Sequence, residues 1–228
     1  MTKLLYIQAS PRGSESKSIQ VADAYLETLR AQNPMIEFDT IKLWEEDLLS
    51  FDETQAAAKM KVMTGQVPTG AEKPAWDEIT AVANRFIAAD RYLLAVPMWN
   101  GGIPYRLKHY IDIIHQPGLT WGLNPKTGFF GLLKNKHATV VLTSGAYAPG
   151  FPAGFGPDHH STYVRDWLTQ AGVEVIDEIR FQPTLLTSDQ AGGLEQARQA
   201  AIRLAVSHAE QLGREGGPTF ERTLPTAV

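Results

Sequence analysis

The 228-residue chain contains no cysteine. That excludes disulfides, thiolate metal sites and cysteine nucleophiles together. It also lacks strong charge of either sign. A formal net charge of −4 leaves no basic excess of the kind that marks a general nucleic-acid binder. No apolar run approaches the length needed to cross a bilayer. The first residues, Met1-Thr2-Lys3-Leu4-Leu5-Tyr6-Ile7, have neither the apolar core nor the cleavage site of a signal peptide. A cytoplasmic protein without a membrane span is therefore expected. Two nucleotide signatures are missing as well: no Gly-Lys-Ser or Gly-Lys-Thr loop, and no Gly-x-Gly-x-x-Gly. The histidines are scattered, and His109 and His115 are not at a chelating helical spacing, so no metal site is expected.

What the chain does have is a regular alternation of short apolar runs with helical patterns. Tyr92-Leu93-Leu94-Ala95-Val96 reads as a strand buried on both faces, and it feeds the stiff loop Pro97-Met98-Trp99-Asn100-Gly101-Gly102-Ile103-Pro104. Beyond Pro104, Leu107, Tyr110, Ile111 and Ile114 recur at helical spacing. Leu4 to Ile7 reads as a first, central strand. A helix follows from Ile19, with Ala22, Tyr25, Leu26 and Leu29 on one face. Ile36 to Ile41 alternates as a less buried strand, Glu53 to Met63 and Pro74 to Ala88 read as helices, and Thr64 to Lys73 as a loop. Residues 115–136 form a long connection, Ala138 to Thr143 a fourth strand, and His160 to Ala171 a helix. Val173 to Phe181 is the fifth strand and Gly193 to Leu212 the last helix. Residues 1–212 then make one domain and 213–228 a polar, aperiodic tail. Five strands alternating with helices, the first strand central, predict an α/β doubly wound parallel sheet of order 2-1-3-4-5, the flavodoxin-like arrangement.

In that order the loops after strands one, three and four share one rim. The first is rich in hydroxyls and ends at a helix start, which favours an anion. Ser10, Ser16 and Ser18 can donate to a phosphate, and Lys17 and Arg12 can add charge. The competing reading is a helix cap, although one cap needs one hydroxyl, and Ser14, Ser16 and Ser18 put three in five positions. In the second loop, Pro97, Met98, Trp99, Asn100 and Gly101 let backbone amides approach a heterocycle edge-on. Equally, Trp99 can be a core residue of a tight turn. The third, Thr143-Ser144-Gly145-Ala146-Tyr147, offers small residues and backbone donors, or is simply a surface loop. A phosphate cradle and two small-residue loops on one rim fit a phosphorylated flat ring, flavin mononucleotide.

Ser10-Pro11-Arg12-x-x-x-Ser16-x-Ser18, Pro97-Met98-Trp99-Asn100 before Ile103-Pro104-x-x-Leu107-Lys108, and Ser144-Gly145-Ala146-Tyr147 carry a resemblance. So does Asp158-His159-His160-x-x-Tyr163-Val164-Arg165, and the match runs from about residue 3 to residue 210. The chain resembles the FMN-dependent NADH azoreductases, which belong with the flavodoxin-like NAD(P)H:quinone reductases. The resemblance implies that Ser10, Ser16, Lys17 and Ser18 bind the FMN phosphate. It implies that Pro97 to Gly101 line the isoalloxazine, and that Ser144 to Tyr147 meet its pyrimidine edge. It further implies NADH or NADPH as donor, a quinone or azo compound as acceptor, ping-pong hydride transfer, and a homodimer with sites at the subunit interface. Tyr147 and His159 are the candidates for hydrogen-bonding the second substrate; a packed tyrosine and a helix-start histidine are the plainer alternatives. Two departures stand out. The family commonly has an aromatic residue where this chain has Gly101, and Ser-Arg-Gly-Gly where it has Ser144-Gly145-Ala146-Tyr147. The rival readings are a flavodoxin-like electron carrier and a non-catalytic flavin-binding regulatory module.

Overall fold

The computed structural model describes residues 2–215. The elements in chain order are β1 (Lys3–Gln8), α1 (Lys17–Gln32), β2 (Glu37–Lys42), α2 (Glu53–Met63), α3 (Glu72–Ile87), β3 (Arg91–Pro97) and α4 (Tyr105–Ile114), then β4 (Trp121–Asn124), β5 (Gly128–Gly131), β6 (His137–Thr143), α5 (Ser161–Ala171), β7 (Val175–Phe181) and α6 (Gln190–Glu215). Five strands form one parallel sheet in the order β2-β1-β3-β6-β7. With the small antiparallel pair β4–β5 set apart, this is the expected 2-1-3-4-5 order.

The three inner strands are buried on both faces, and strand alternation sends neighbouring residues to opposite cores. Leu5, Ile7, Tyr92, Leu94 and Val96 face α3, α4 and α5, where Phe86, Leu107, Ile111 and Trp167 meet them. Phe86 stacks on Tyr92 at 4.3 Å between ring centroids. Leu4, Tyr6, Leu93 and Ala95 face α1 and α6 instead, packing against Tyr25, Leu29, Ala201 and Ala205. The outer strand β2 has one fully buried residue, Ile41, which is why its sequence alternates rather than running apolar throughout.

Register sets the level of the rim. Gln8 pairs with Ala95, Val96 with Leu142, and Pro97 with Thr143. The carboxyl ends of β1, β3 and β6 therefore stop at about one level, and the loops that leave them start side by side.

Two stretches differ from the sequence expectation. Residues 115–136 carry a hairpin, β4–β5, whose turn is held by Asn124 Oδ1 accepting from the N–H groups of Lys126 (2.9 Å) and Thr127 (3.3 Å). Four-residue strands containing Gly122, Gly128 and Gly131 give too short a pattern to read. The last helix begins at Gln190 and runs to Glu215, so Gly213 lies inside it; its solvent-facing position lets the helix pass. Of the expected tail, residues 216–228 lie outside the described residues.

At the amino ends of the strands, residues distant in sequence converge. His137 Nε2 lies 2.6 Å and His208 Nε2 3.2 Å from the same Asp177 oxygen. Arg91 Nη1 is 2.9 Å from His137 Nδ1, and the Tyr25 hydroxyl 2.8 Å from His208 Nδ1. A guanidinium can only donate, so His137 Nδ1 accepts and its Nε2–H points at Asp177. His208 likewise donates from Nε2 and accepts the Tyr25 proton. Both rings are neutral in this arrangement, and no ring lone pair is left for an ion. The network ties α1 and α6 to β3, β6 and β7. The wide separation of the two histidines along the chain hides it from a sequence reading.

Packing and burial each have a measurable consequence. A Cβ on Gly131 would lie 2.3 Å from the Gly172 Cα, and Gly172 itself caps α5 at φ +101°. Gly131→Ala is expected to cost at least about 2 kcal/mol in urea unfolding. Burial beside His137 pushes His208 down to about 4, below its ordinary value. The folded state then binds fewer protons than the unfolded chain, so stability is full above about pH 6.5 and is lost as the pH falls toward 4. His208 alone should lower the melting temperature by roughly 5 °C between pH 7.5 and pH 5, and the buried His160, also held at about 4, should add a similar drop. His208→Gln should be less stable at pH 7.5 and show a shallower acid dependence.

Candidate functional site

The first loop makes an anion cradle. Ser16 stands in extended backbone at the cap position of α1, yet its hydroxyl bonds none of the helix N–H groups. Instead Ser16 Oγ and Ser18 Oγ lie 3.1 Å apart, both buried. The first helix donor with a backbone partner is Gln20 N, bonded to Ser16 O at 2.9 Å. The N–H groups of Lys17, Ser18 and Ile19 have no acceptor among the described residues, as helix starts require unless something external supplies one. One hydroxyl of the pair spends its proton on the other, which leaves one hydroxyl proton and three amides at the positive end of a helix, a set that suits a phosphate. Ser10 is also buried, and its Oγ accepts from the Arg12 N–H at 3.3 Å. Lys17 Nζ donates to Gln20 Oε1 at 3.3 Å, and Gln20 Nε2 to Ser14 O at 2.6 Å, so Gln20 clamps the loop; no sequence motif points to it.

The loop after β3 is a tight turn. Trp99 and Gly102 exchange two backbone bonds, at 2.8 and 2.9 Å. Between them Asn100 has φ +48° and Gly101 φ +81°. Positive φ at both central residues, filled by Asn-Gly, is the type I′ pattern. The turn leaves the Asn100 and Gly101 N–H groups without acceptors among the described residues. A Cβ built on Gly101 meets nothing within 4 Å, so the space above it is open. Trp99 is neither core nor free. It is half-buried against Trp44, 5.4 Å between centroids, and Tyr105, 6.4 Å. Trp44 in turn donates from Nε1 to Ala9 O at 3.0 Å, which joins this aromatic group to the end of β1. Trp44 sits in a stretch without readable periodicity, and nothing in the sequence marks it.

The loop after β6 is pinned from below. The buried Ser144 hydroxyl donates to Tyr147 O, closing the turn. Ser144 O and Gly145 O accept from the N–H groups of Thr184 (2.8 Å) and Leu185 (2.9 Å). The N–H groups of Gly145, Ala146 and Tyr147 stay unspent among the described residues. Leu185 Cδ1 lies 3.1 Å from where a Gly145 Cβ would stand, so a side chain there would have to displace the exposed Leu185 slightly. The Tyr147 phenol is pushed up by burial and by Asp158 beside it.

The structure thus brings Ser10, Ser16, Lys17, Ser18, Pro97 to Gly101 and Ser144 to Tyr147 onto one rim. His159 is different. It faces a surface cavity of about 670 Å³ on the outer side of α5, shared with Thr162, Arg165 and Asp166. Its neighbour His160 is the buried one, with Nε2 donating to Val96 O at 3.1 Å, and burial lowers it to about 4. Asp158 caps α5, its Oδ1 accepting from His160 N (3.0 Å) and Ser161 N (2.7 Å).

Hydroxyls and helix amides at one end, and two sets of free backbone donors flanking open space at the other, suit a planar heterocycle with a phosphorylated tail. The donor set contains no carboxylate that would repel the phosphate. A family model described as the flavodoxin-like fold matches residues 2–204. A protein named FMN-dependent NADH:quinone oxidoreductase, from Ruegeria pomeroyi, is 49% identical over 201 residues, 88% of this chain and 98% of the relative. The chain belongs to that flavodoxin-like family of oxidoreductases. Another relative of the same name, from Desulfotalea psychrophila, is 42% identical over 206 residues, covering 90% of this chain and 97% of its own. A solved structure, an FMN-dependent NADH-azoreductase from Bacillus anthracis in complex with FMN, superposes with a TM-score of 0.77 at 25% identity, covering 93% of this chain and 99% of that one.

For the oxidoreductase, the serine pair at the start of α1 offers a direct test. If the pair holds the FMN phosphate, Ser16→Ala combined with Ser18→Ala removes two hydrogen bonds to a charged group. FMN binding to the apoprotein, followed by flavin fluorescence, should weaken roughly 100-fold.

Proposed function

We propose that the three loops hold FMN and that the protein uses it to pass electrons from NADH to a quinone or azo acceptor, both substrates stacking in turn over the opening above Gly101. The observation that carries this reading is the shared rim: an unspent hydroxyl proton and unspent amides at the start of α1, and unspent amides on either side of an unfilled space. The chemistry that FMN supplies when bound is two-electron transfer between nicotinamide and acceptor. The chain's own residues do the rest. Ser10, Ser16, Lys17 and Ser18 anchor the phosphate. Trp99, backed by Trp44 and Tyr105, walls one side against water. The Gly145, Ala146 and Tyr147 amides face the ring edge where negative charge gathers, and fixed donors stabilise such charge without reorganising. Tyr147, like any phenol, keeps its proton at neutral pH, and burial with Asp158 beside it pushes the phenol further up, so its hydroxyl is a donor for an acceptor oxygen.

The same reading includes a homodimer. A groove of about 660 Å³ runs between Phe51, Met63, His109, His115, Trp121 and Phe129, and touches the site at Tyr105. Its lining exposes Met63, Tyr105 and Phe129, each by nearly half or more of its surface, and Met60 stands exposed on the same helix as Met63. Apolar surface of that extent, continuous with the site, supports a second copy as its cover. A cytoplasmic location fits a donor that is supplied inside the cell.

Two outcomes are expected. The purified protein should show flavin absorbance, and anaerobic NADH should bleach it within the mixing time of a conventional cuvette; protein that takes up no FMN when it is supplied in excess contradicts the reading. Met60→Glu with Phe129→Glu should convert a dimer to a monomer in light scattering coupled to gel filtration.

A further inference from the structure

The segment between β6 and α5 leaves the site and returns to it. Its first foot is the turn Ser144–Tyr147, followed by the buried Ala148. Its second foot is Asp158–His160. There Asp158 caps α5, His160 is fastened to Val96 O at the end of β3, and the His159 carbonyl oxygen lies 3.9 Å from the place a Gly102 Cβ would take. The segment therefore bridges two of the three loops on the rim.

Between these feet stand Pro149, Pro152 and Pro157, with Gly150 at φ +84° and Gly156 at φ +86°. Such a sequence makes a stiff arch with few side chains to bury. At its crest two large apolar residues face each other. The Phe151 and Phe155 rings meet edge to face, 5.0 Å between centroids at 65°. They remain 37% and 43% exposed, and neither has another ring partner among the described residues. A short 3-10 turn, Ala153–Phe155, sets the pair. Two phenylalanines kept half in water on an arch fixed at both feet have no core to support. They do offer an edge and a face to any planar aromatic molecule that reaches the arch between these two loops, the geometry aromatic rings prefer. The open space at Gly101 leaves the site without an aromatic side chain at that loop's tip, and the arch carries spare aromatic surface between two loops of the same rim.

We infer that Phe151 and Phe155 clamp the electron acceptor and select planar fused-ring quinones over single-ring ones. This rests on the reading of the rim as a flavin site. The double variant Phe151→Ala/Phe155→Ala separates the two when compared with the wild-type holoenzyme. Five measurements are made: FMN content, the anaerobic rate of flavin bleaching by NADH, steady-state KM for 2-hydroxy-1,4-naphthoquinone and for p-benzoquinone, the Kd of anthraquinone-2-sulfonate for the oxidised holoenzyme by calorimetry, and the mass in solution by light scattering. The variant should keep its FMN and its bleaching rate. Its KM for the naphthoquinone and its Kd for the anthraquinone should each rise about tenfold, the scale of removing one aromatic pairing together with the area it buries, while KM for p-benzoquinone moves less than about threefold. Phe151→Tyr/Phe155→Tyr should restore both values. Unchanged anthraquinone binding overturns the clamp. So does an equal loss for both quinones, a slowed bleaching step, or a shift in subunit stoichiometry, since each assigns the rings to another partner. Wild-type protein that binds no FMN overturns the flavin reading itself, before any variant is compared.

Discussion

Everything at the site depends on a parallel register. Because Gln8, Ala95 and Val141 sit level across β1, β3 and β6, three loops that are far apart in the chain begin at one height. Parallel strands point all their carboxyl ends one way, and the crossovers through helices then leave that edge free. A one-residue slip of β3 would reverse which core each of its side chains enters. Its unbroken burial on both faces fixes the alignment more firmly than any single hydrogen bond on the rim.

The rim itself is built almost entirely from main chain. Side chains and paired turns leave amides unspent: Ser144 on Tyr147 O, the mutual bonds of Trp99 and Gly102, the serine pair at α1. Backbone donors of this kind cannot titrate and hold no rotamer freedom, so they are preorganised for a ligand that gathers negative charge. The buried histidines are kept aside. His160 is buried beneath β3, and the His137–Asp177–His208 network lies at the opposite end of the sheet, where it fastens the helices. Binding and cohesion occupy opposite edges of one sheet.

The parts legible in the sequence were those written in local pattern. The apolar runs at Leu4–Ile7, Tyr92–Val96 and Ala138–Thr143 announced the buried strands, and the small-residue loops after them announced the rim. What stayed hidden was fixed by distance in space. Trp44 supports Trp99 from a stretch with no periodicity, and His208 meets His137 only because α6 folds back along the sheet. The hairpin β4–β5 escaped because its strands are four residues long and rich in glycine. Of the adjacent pair His159-His160, the helical phase alone did not say which would turn inward; the N-terminal cap by Asp158 decides it.

The Asn100-Gly101 turn has an evolutionary corollary. The glycine at its second central position is held at φ +81°, which a bulky residue cannot adopt without strain. A single substitution at this site would therefore be penalised before it could be useful. The turn therefore resists change from within, and the surroundings of the open space above it vary at lower cost from neighbouring segments than from Gly101 itself.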